Sequence, residues 1–418
     1  MHRNEAYPFR NGDRKMARRI AAYSHDTVGL GHLRRTLTIT RHLGARRPDL
    51  NSLIISGSPF VQAMGSYDRI DFLKLPAAKK IRNGHYEARY LGLDFDHFNR
   101  FRSGVIDEGL RAFEPDLLII DKTPGGMNGE LLPCLRRLRE TGARTRVVLG
   151  LRDILDEAPN QRAEWTATGD WQTLDELYDA IWIYGSADVF NPVTEYGFSD
   201  TMAARTSFLG YLPKYNGIRP VEAIRAELDA KDQPLLVLSP GGGEDGYELL
   251  SLFLEARDGG FLPTGHLPVL VTGPGMPEAR VAELRHRLGA NGRLLEFSDH
   301  FTSILAAADL VITMGGYNTL TEALCLGKRV VSVPRVRPRR EQWIRAQRFA
   351  ERGLLTMVEP DGASPATLGA AIRHELGRDV STGCLPLDFG GLERLDDEYA
   401  RLFDNEMPAL QSESGATR

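Results

Sequence analysis

Residues 309–334 read Asp-Leu-Val-Ile-Thr-Met-Gly-Gly-Tyr-Asn-Thr-Leu-Thr-Glu-Ala-Leu-Cys-Leu-Gly-Lys-Arg-Val-Val-Ser-Val-Pro. The run Leu310-Val-Ile-Thr313 predicts a buried strand, and Gly315-Gly316 turns the chain. A helix follows, with Thr319 and Glu322 in its first turns. Gly327 ends that helix, and Val330-Val-Ser-Val333 before Pro334 predicts a second buried strand. Strand, helix and strand in this order form a parallel βαβ unit. The first amides of the helix lack intrahelical acceptors and carry the positive end of its dipole. The glycine turn is therefore suited to an anion or a hydroxyl-bearing ligand.

The same alternation extends in both directions. Short apolar runs are expected as strands at Ile20–Ser24, Leu53–Ser56, Leu117–Asp121, Val147–Leu149, Ile181–Tyr184 and Ser207–Leu209. A second set falls at Leu235–Ser239, Val269–Thr272, Leu294–Phe297, Leu310–Thr313, Val330–Val333 and Leu355–Val358. The runs are continuously apolar rather than alternating, as in parallel strands covered on both faces. Helical patterns between them give an α/β fold. At 418 residues the chain exceeds one ordinary core, so two doubly wound, Rossmann-like domains facing across a cleft are expected. Pro213-Lys-Tyr-Asn-Gly-Ile-Arg-Pro220 is the natural break between them. The expected division is a disordered tail over 1–15, an N-terminal domain over 16–212 and a linker or hinge over 213–230. A second domain over 231–380 and a C-terminal helix with a polar tail over 381–418 complete it.

Composition narrows the function. A formal net charge of −4 gives no bulk attraction to nucleic acid or an anionic membrane. The three cysteines, Cys134, Cys325 and Cys384, are too scattered for a disulfide framework or a metal site. They fit a reducing compartment, and with a polar Met1–Lys15 lacking an apolar core they make a cytoplasmic protein the expectation. No apolar run reaches the length of a membrane span.

Two further glycine loops follow strands. Ser24-His-Asp-Thr-Val-Gly29-Leu-Gly31-His32-Leu-Arg34-Arg35 opens a helix running to about Leu43. It departs from the dinucleotide pattern, because Arg34 stands where the third glycine belongs. His32, directly after Gly31, is at a helix start. That position lowers an imidazole pKa and keeps the ring neutral, as a general base requires. Ser239-Pro-Gly241-Gly242-Gly243-Glu-Asp follows the first strand of the second set. Its amides can nest phosphate oxygens, and it lacks the Gly-Lys-Ser/Thr ending of a P-loop. Glu341 and Gln342 lie 19 and 20 residues after Glu322, in Arg337-Pro-Arg-Arg-Glu-Gln-Trp-Ile-Arg-Ala-Gln347. Asp121 and Arg152-Asp153 end or follow strands on the same sheet edge of the first half. Trp165, Trp171 and Trp182 read as core residues. Asp94-Phe-Asp96 matches a metal-binding D-x-D only in form.

Gly315, Gly316, Thr319, Glu322, Glu341, Gln342, Ala346 and Gly353 together resemble the donor-binding motif of the MurG-type glycosyltransferases (family 28) and their GT-B relatives. Gly29-Leu-Gly31-His32 is similar to their first turn, and Gly241-Gly242-Gly243 to their pyrophosphate loop. The resemblance implies a GT-B fold and transfer of a sugar from a nucleotide sugar, with UDP the nucleotide expected, to a hydroxyl acceptor. It implies inversion, with no cofactor and no metal. Glu322 would hold the ribose diol, Gln342 and Glu341 the donor sugar, and the glycines the diphosphate. Either His32 or His25 would be the base. Gly29, Gly31, Asp121 and Arg152 would line the acceptor side, shaped by Ile81–Val105. The acceptor is left open among small molecules, glycans and lipid-linked species, and peripheral membrane contact with it. Two alternatives keep the fold: a nucleotide-sugar hydrolase, since Gly29 to Arg35 also resembles the opening of the pseudaminic acid pathway hydrolases, and a non-catalytic nucleotide-sugar-binding protein.

Overall fold

A strand that is apolar at every position needs cover on both faces, and the fold supplies it twice. The computed structural model describes residues 18–25, 31–82, 85–213, 217–230, 232–243, 245–378 and 387–404. Strands β1 (Arg19–Ser24), β2 (Asn51–Ser56), β3 (Ile70–Lys74), β4 (Ala78–Arg82), β5 (His85–Ala88), β6 (Leu117–Asp121), β7 (Arg146–Arg152), β8 (Ala180–Tyr184) and β9 (Thr206–Phe208) precede the linker. After it come β10 (Leu235–Ser239), β11 (Leu267–Val271), β12 (Arg293–Leu295), β13 (Leu310–Thr313), β14 (Arg329–Ser332) and β15 (Thr356–Met357). The first sheet has the order β3-β2-β1-β6-β7-β8-β9, and the second β12-β11-β10-β13-β14-β15. Both are parallel and both reverse direction of winding beside their first strand, the Rossmann-like arrangement. The hairpin β4-β5 is separate and antiparallel.

Side chains leave a strand on alternate faces, and here each face has its own core. Ile20 and Ala22 of β1 join Leu117 and Ile119 of β6 in a cluster that also holds Val237, Val311, Tyr317 and Phe349 of the second half. Ala21 and Tyr23 join Leu118 and Ile120 on the opposite face. Leu236, Leu238 and Ile312 line the outer face of the second sheet. One cluster is thus shared by the two halves, and each half keeps another. Burying one such aliphatic side chain stabilises the fold by about 1.5–3 kcal/mol. Trp182 and Trp165 are buried in these cores, and Trp171 packs edge-on against Trp165 at 4.7 Å.

The edges depart from the sequence expectation. β3 and the β4-β5 hairpin carry charges at Asp71, Lys74 and Lys79, so no apolar run marks them. The edge strands β9, β12 and β15 are shifted or shortened relative to the expected runs, because an edge strand ends where pairing ends. The Gly31–Arg46 helix runs one turn beyond Leu43. Residues 1–17 of the expected tail and the linker residues 214–216 lie outside the described residues. So do Gly29 and Glu244 in the loops, residues 379–386, and the polar end from residue 405.

The C-terminal helix, Gly391–Asp404, returns to the first half. Its Asp396 accepts from His42 at 2.7 Å and pairs with Arg47 at 2.6 Å. Arg18 and Arg47 lie 4.2 Å from the rings of Phe403 and Tyr399. The deepest tie between the halves is Arg345, on the Glu341–Ala350 helix, with Asp153 after β7. Both are 0% exposed. The Arg345 Nε donates to Asp153 Oδ2 at 2.9 Å, and Nη2 donates to Oδ1 at 2.7 Å. Arg340 and Arg339 continue the seam, pairing with Glu157 and Glu164 at 2.8 and 2.7 Å.

Removing one member of a buried ion pair strands the other charge in a medium that solvates it poorly. Asp153→Ala is therefore expected to destabilise the chain by about 3–5 kcal/mol. Asp153→Leu combined with Arg345→Met is expected to recover most of that loss. Urea unfolding midpoints measure both; an unchanged midpoint in Asp153→Ala would contradict the role given to the pair.

Candidate active site

Adjacent strands of opposite winding leave a crevice beyond their C-terminal ends. In the first half these strands are β1 and β6, paired through Tyr23 and Ile120. β6 ends at Asp121, and the chain leaving β1 passes His25 before the helix that begins at Gly31. His32 Nδ1 bonds the Asp121 carboxylate. Arg35, one turn along the same helix face, donates from Nε to the other carboxylate oxygen at 3.0 Å. Its Nη2 lies 3.1 Å from His32 Nδ1. Burial opposes the charge on Asp121, but Arg35 and His32 outweigh it and hold the carboxyl well below its usual range. A carboxylate is acceptor-only, so Nδ1 carries the proton and Nε2 is the basic nitrogen of His32. Burial lowers the His32 pKa from 6.5 to about 4, against the pull of Asp121. The ring is neutral at neutral pH.

His25 is buried, with its ring centroid 6.0 Å from that of His32. The carboxylate that orients an imidazole is thus beside His32. Asp121, expected on the acceptor side, is part of this cluster. Gly31 contacts the second half directly: its carbonyl accepts from Asn318 Nδ2 at 2.9 Å.

In the second half, β10 and β13 form the corresponding crevice. Gly241 and Gly243 have φ of +102° and +99°. A Cβ on Gly243 would lie 2.6 Å from the carbonyl oxygen of Thr272, whereas one on Gly241 would meet open space. The glycine-rich loop therefore needs glycine on its inner side to pack on the loop after β11, and presents its outer side freely. Gly275 N donates to Gly242 O at 2.9 Å across those loops. Beyond β13, Gly315 has φ +80°. Its carbonyl accepts from Arg345 Nη1 at 3.1 Å. Gly316 precedes the Tyr317–Cys325 helix and has open space at its Cα.

Thr319 and Glu322 are on this helix and buried. Glu322 is 3% exposed; it accepts from Thr302 Oγ1 at 2.9 Å and lies 3.9 Å from Arg34 Nη2 of the first half. Glu341 and Gln342 begin the Glu341–Ala350 helix, also buried. Glu341 Oε1 accepts from Arg335 at 2.9 Å. Burial would raise its pKa, but Arg152, Arg335 and Arg345 hold it below the ordinary value. Arg152, expected on the acceptor side, ends β7 where it feels the charge of Glu341 across the seam.

Some residues were illegible as a group. Arg35 with Asp121, and Arg345 with Asp153, are separated by 86 and 192 positions. Gly273-Pro274-Gly275 also follows a buried strand, just as the other loops do, and packs on the Gly241–Gly243 turn. Asp94 caps the Phe95–Phe113 helix, accepting from His97 N, so the D-x-D match has a structural cause. The Ile81–Val105 segment forms part of the edge hairpin and this helix, with Tyr90, Leu91 and Phe101 exposed.

Two parallel Rossmann-like sheets with their C-terminal edges turned toward one another define the GT-B fold. Residues 266–379 of the second half match the glycosyltransferase family 28 C-terminal domain. The chain is similar in structure to CalG4, the calicheamicin glycosyltransferase, with TM-score 0.58 and 19% identity over 94% of this chain and 100% of that one. It is similar to Acinetobacter baumannii MurG with TM-score 0.55 and 13% identity, over 93% and 99% of the two chains. A stretch of 158 residues is 29% identical to an uncharacterized glycosyltransferase of Methanopyrus kandleri, covering 38% of this chain and 42% of that protein. The chain thus spans less than half the length of that relative. Among the described residues, no helix is long and apolar enough to cross a membrane.

The folded His32 binds its proton more weakly than an unfolded one. Its contribution to stability is therefore full above about pH 6.5 and is lost as pH falls toward about 4. The expected histidine titration by NMR has a midpoint near 4; a midpoint at 6.5 would contradict the effect given to its partial burial.

Proposed function

We propose that the chain transfers a sugar from a nucleoside diphosphate sugar, UDP-linked, to a hydroxyl acceptor. The observation that carries this reading is the Asn318–Gly31 hydrogen bond of 2.9 Å. It holds the helix start bearing Thr319 and Glu322 against the residue preceding His32. A base from one half and an anion-binding turn from the other are thus brought to one crevice, as a two-substrate displacement requires.

In this reading Gly241, Gly242, Gly243, Gly315 and Gly316 receive the diphosphate with their amides. Thr319 and Glu322 take the ribose hydroxyls, and Glu341 and Gln342 the hydroxyls of the sugar. The acceptor enters from the first half, past Gly31 and, outside the described residues, Gly29. His32 Nε2 removes the acceptor proton while Asp121 steadies the imidazolium that forms. The acceptor oxygen bonds to the anomeric carbon as its bond to the diphosphate oxygen breaks, and the nucleoside diphosphate leaves. A single displacement of this kind inverts the anomeric centre. The glycine amides and helix start stabilise the negative charge of the leaving group, a role that does not call for a metal. Thr302 and Arg34 lie against Glu322, so the ribose hydroxyls take their place beside its carboxylate.

His32→Ala is expected to lower kcat by roughly 10²–10⁴-fold while nucleotide affinity stays near that of the parent chain. Glu322→Ala is expected to weaken the nucleotide instead. Product formation from UDP-sugars, measured with a panel of hydroxyl acceptors, checks both. Stoichiometric release of free sugar in the absence of acceptor would replace the acceptor by water. Full activity in His32→Ala would leave only a binding role.

A further inference from the structure

Among the described residues, Arg152 is a cation without a hydrogen-bond or ion-pair partner. It is the last residue of β7, beside Tyr184 in register and one residue before Asp153. Asp153 is consumed by Arg345, which takes both of its oxygens. The Arg152 Nε is sealed from solvent and has no acceptor, and among the described residues nothing bonds or pairs with the guanidinium. The side chain keeps some solvent contact, yet protein surrounds it closely enough for burial to lower its pKa to about 10. The charges it feels are Glu341, Arg345, Arg35 and Asp153. Those residues place it between the His32 cluster of the first half and the Glu341–Ala350 helix of the second.

Across from it the imbalance is of the opposite kind. Glu341 gives one oxygen to Arg335, and its buried Oε2 has no donor among the described residues. Gln342 Oε1 is buried and unmatched in the same way. A guanidinium lacks acceptor capacity and a carboxylate lacks a donor. Arg152 and Glu341 could satisfy each other by direct pairing, and they attract one another, but they stand apart. Leaving such groups unmatched is costly. A ligand with hydroxyl donors at one end and an anionic oxygen at the other would match all three.

We propose that Arg152 binds an anionic oxygen of the donor from the first half, while Glu341 and Gln342 accept from the sugar hydroxyls in the second. The inference rests on the donor reading above and adds a residue to it from the opposite half. A donor so held bridges the seam instead of lying on one side. The anionic oxygen has two sources, the distal phosphate of the nucleoside diphosphate or a carboxylate on the transferred sugar.

Calorimetric titration of the full chain and of Arg152→Gln with UMP, UDP, UDP-glucose and UDP-glucuronate separates them. Loss of roughly 10- to 100-fold in affinity for the three diphosphates, with UMP unchanged, assigns Arg152 to the phosphate. The same loss for UDP-glucuronate alone assigns it to a sugar carboxylate. Equal affinities in the two proteins, a loss shared by UMP, or a loss for both UDP-sugars that spares UDP overturns the proposal. Should Arg152→Gln fail to fold, Arg152→Lys keeps the charge while losing the guanidinium fork, and the same order of losses is expected at smaller size. A parent chain that binds none of the four ligands overturns the donor reading itself, an outcome distinct from parent binding with an indifferent variant.

Discussion

The geometry of the crevice depends on one guanidinium. Arg345 is anchored in the second half, spends its Nε and Nη2 on Asp153 of the first, and turns Nη1 to the carbonyl of Gly315. A buried arginine has few arrangements that satisfy its fork, and this one fixes two things together: how the halves meet, and how the glycine turn after β13 is held. Tyr317, whose ring lies 5.6 Å from the same group, packs beneath. Such a pair contributes little net stability, because desolvation offsets most of the attraction. Its contribution is to orientation. Sliding the halves past one another would strip the arginine of its anion before any new partner came within reach.

How much of this could be read from the sequence depends on whether a feature is local. Continuous apolar runs marked the central strands β1, β6, β10 and β13 because the signal and its cause occupy the same residues. The glycine loops were legible for that reason too: Gly243 and Gly315 need positive φ within a turn whose sequence shows it. His32 stood out by its place at a helix start. What gave His32 its neutral ring and its orientation did not, because Asp121 arrives from a strand 89 positions away. Strand order would have brought them together, since β6 lies next to β1, but order is a property of the whole sheet. Nor does the local sequence tell where the arginines of 335–345 go: folding pairs Arg335 with Asp245 and Glu341, Arg339 with Glu164, Arg340 with Glu157 and Arg345 with Asp153.

Glu322 shows a different limit. Its residue type and spacing mark it as a hydrogen-bond acceptor on the right turn of the right helix, and the structure leaves it there. Its access is set by Arg34 and Thr302, which neighbour it only because the Gly31–Arg46 helix and the Phe301–Ala307 helix close over it. Sequence can indicate what a group would accept; whether anything can reach it is decided by packing.

The return of the last helix to the first half has a consequence for how the molecule is made. Leu395, Tyr399 and Phe403 belong to the same buried cluster as Ile20, Ile39 and Leu43. On a ribosome the first sheet emerges hundreds of residues before these side chains do. Until they arrive, one flank of the Gly31–Arg46 helix presents apolar surface to solvent. The Gly391–Asp404 helix therefore acts as a seal, and a chain without it would hold a sheet that is fully formed but bare along one side.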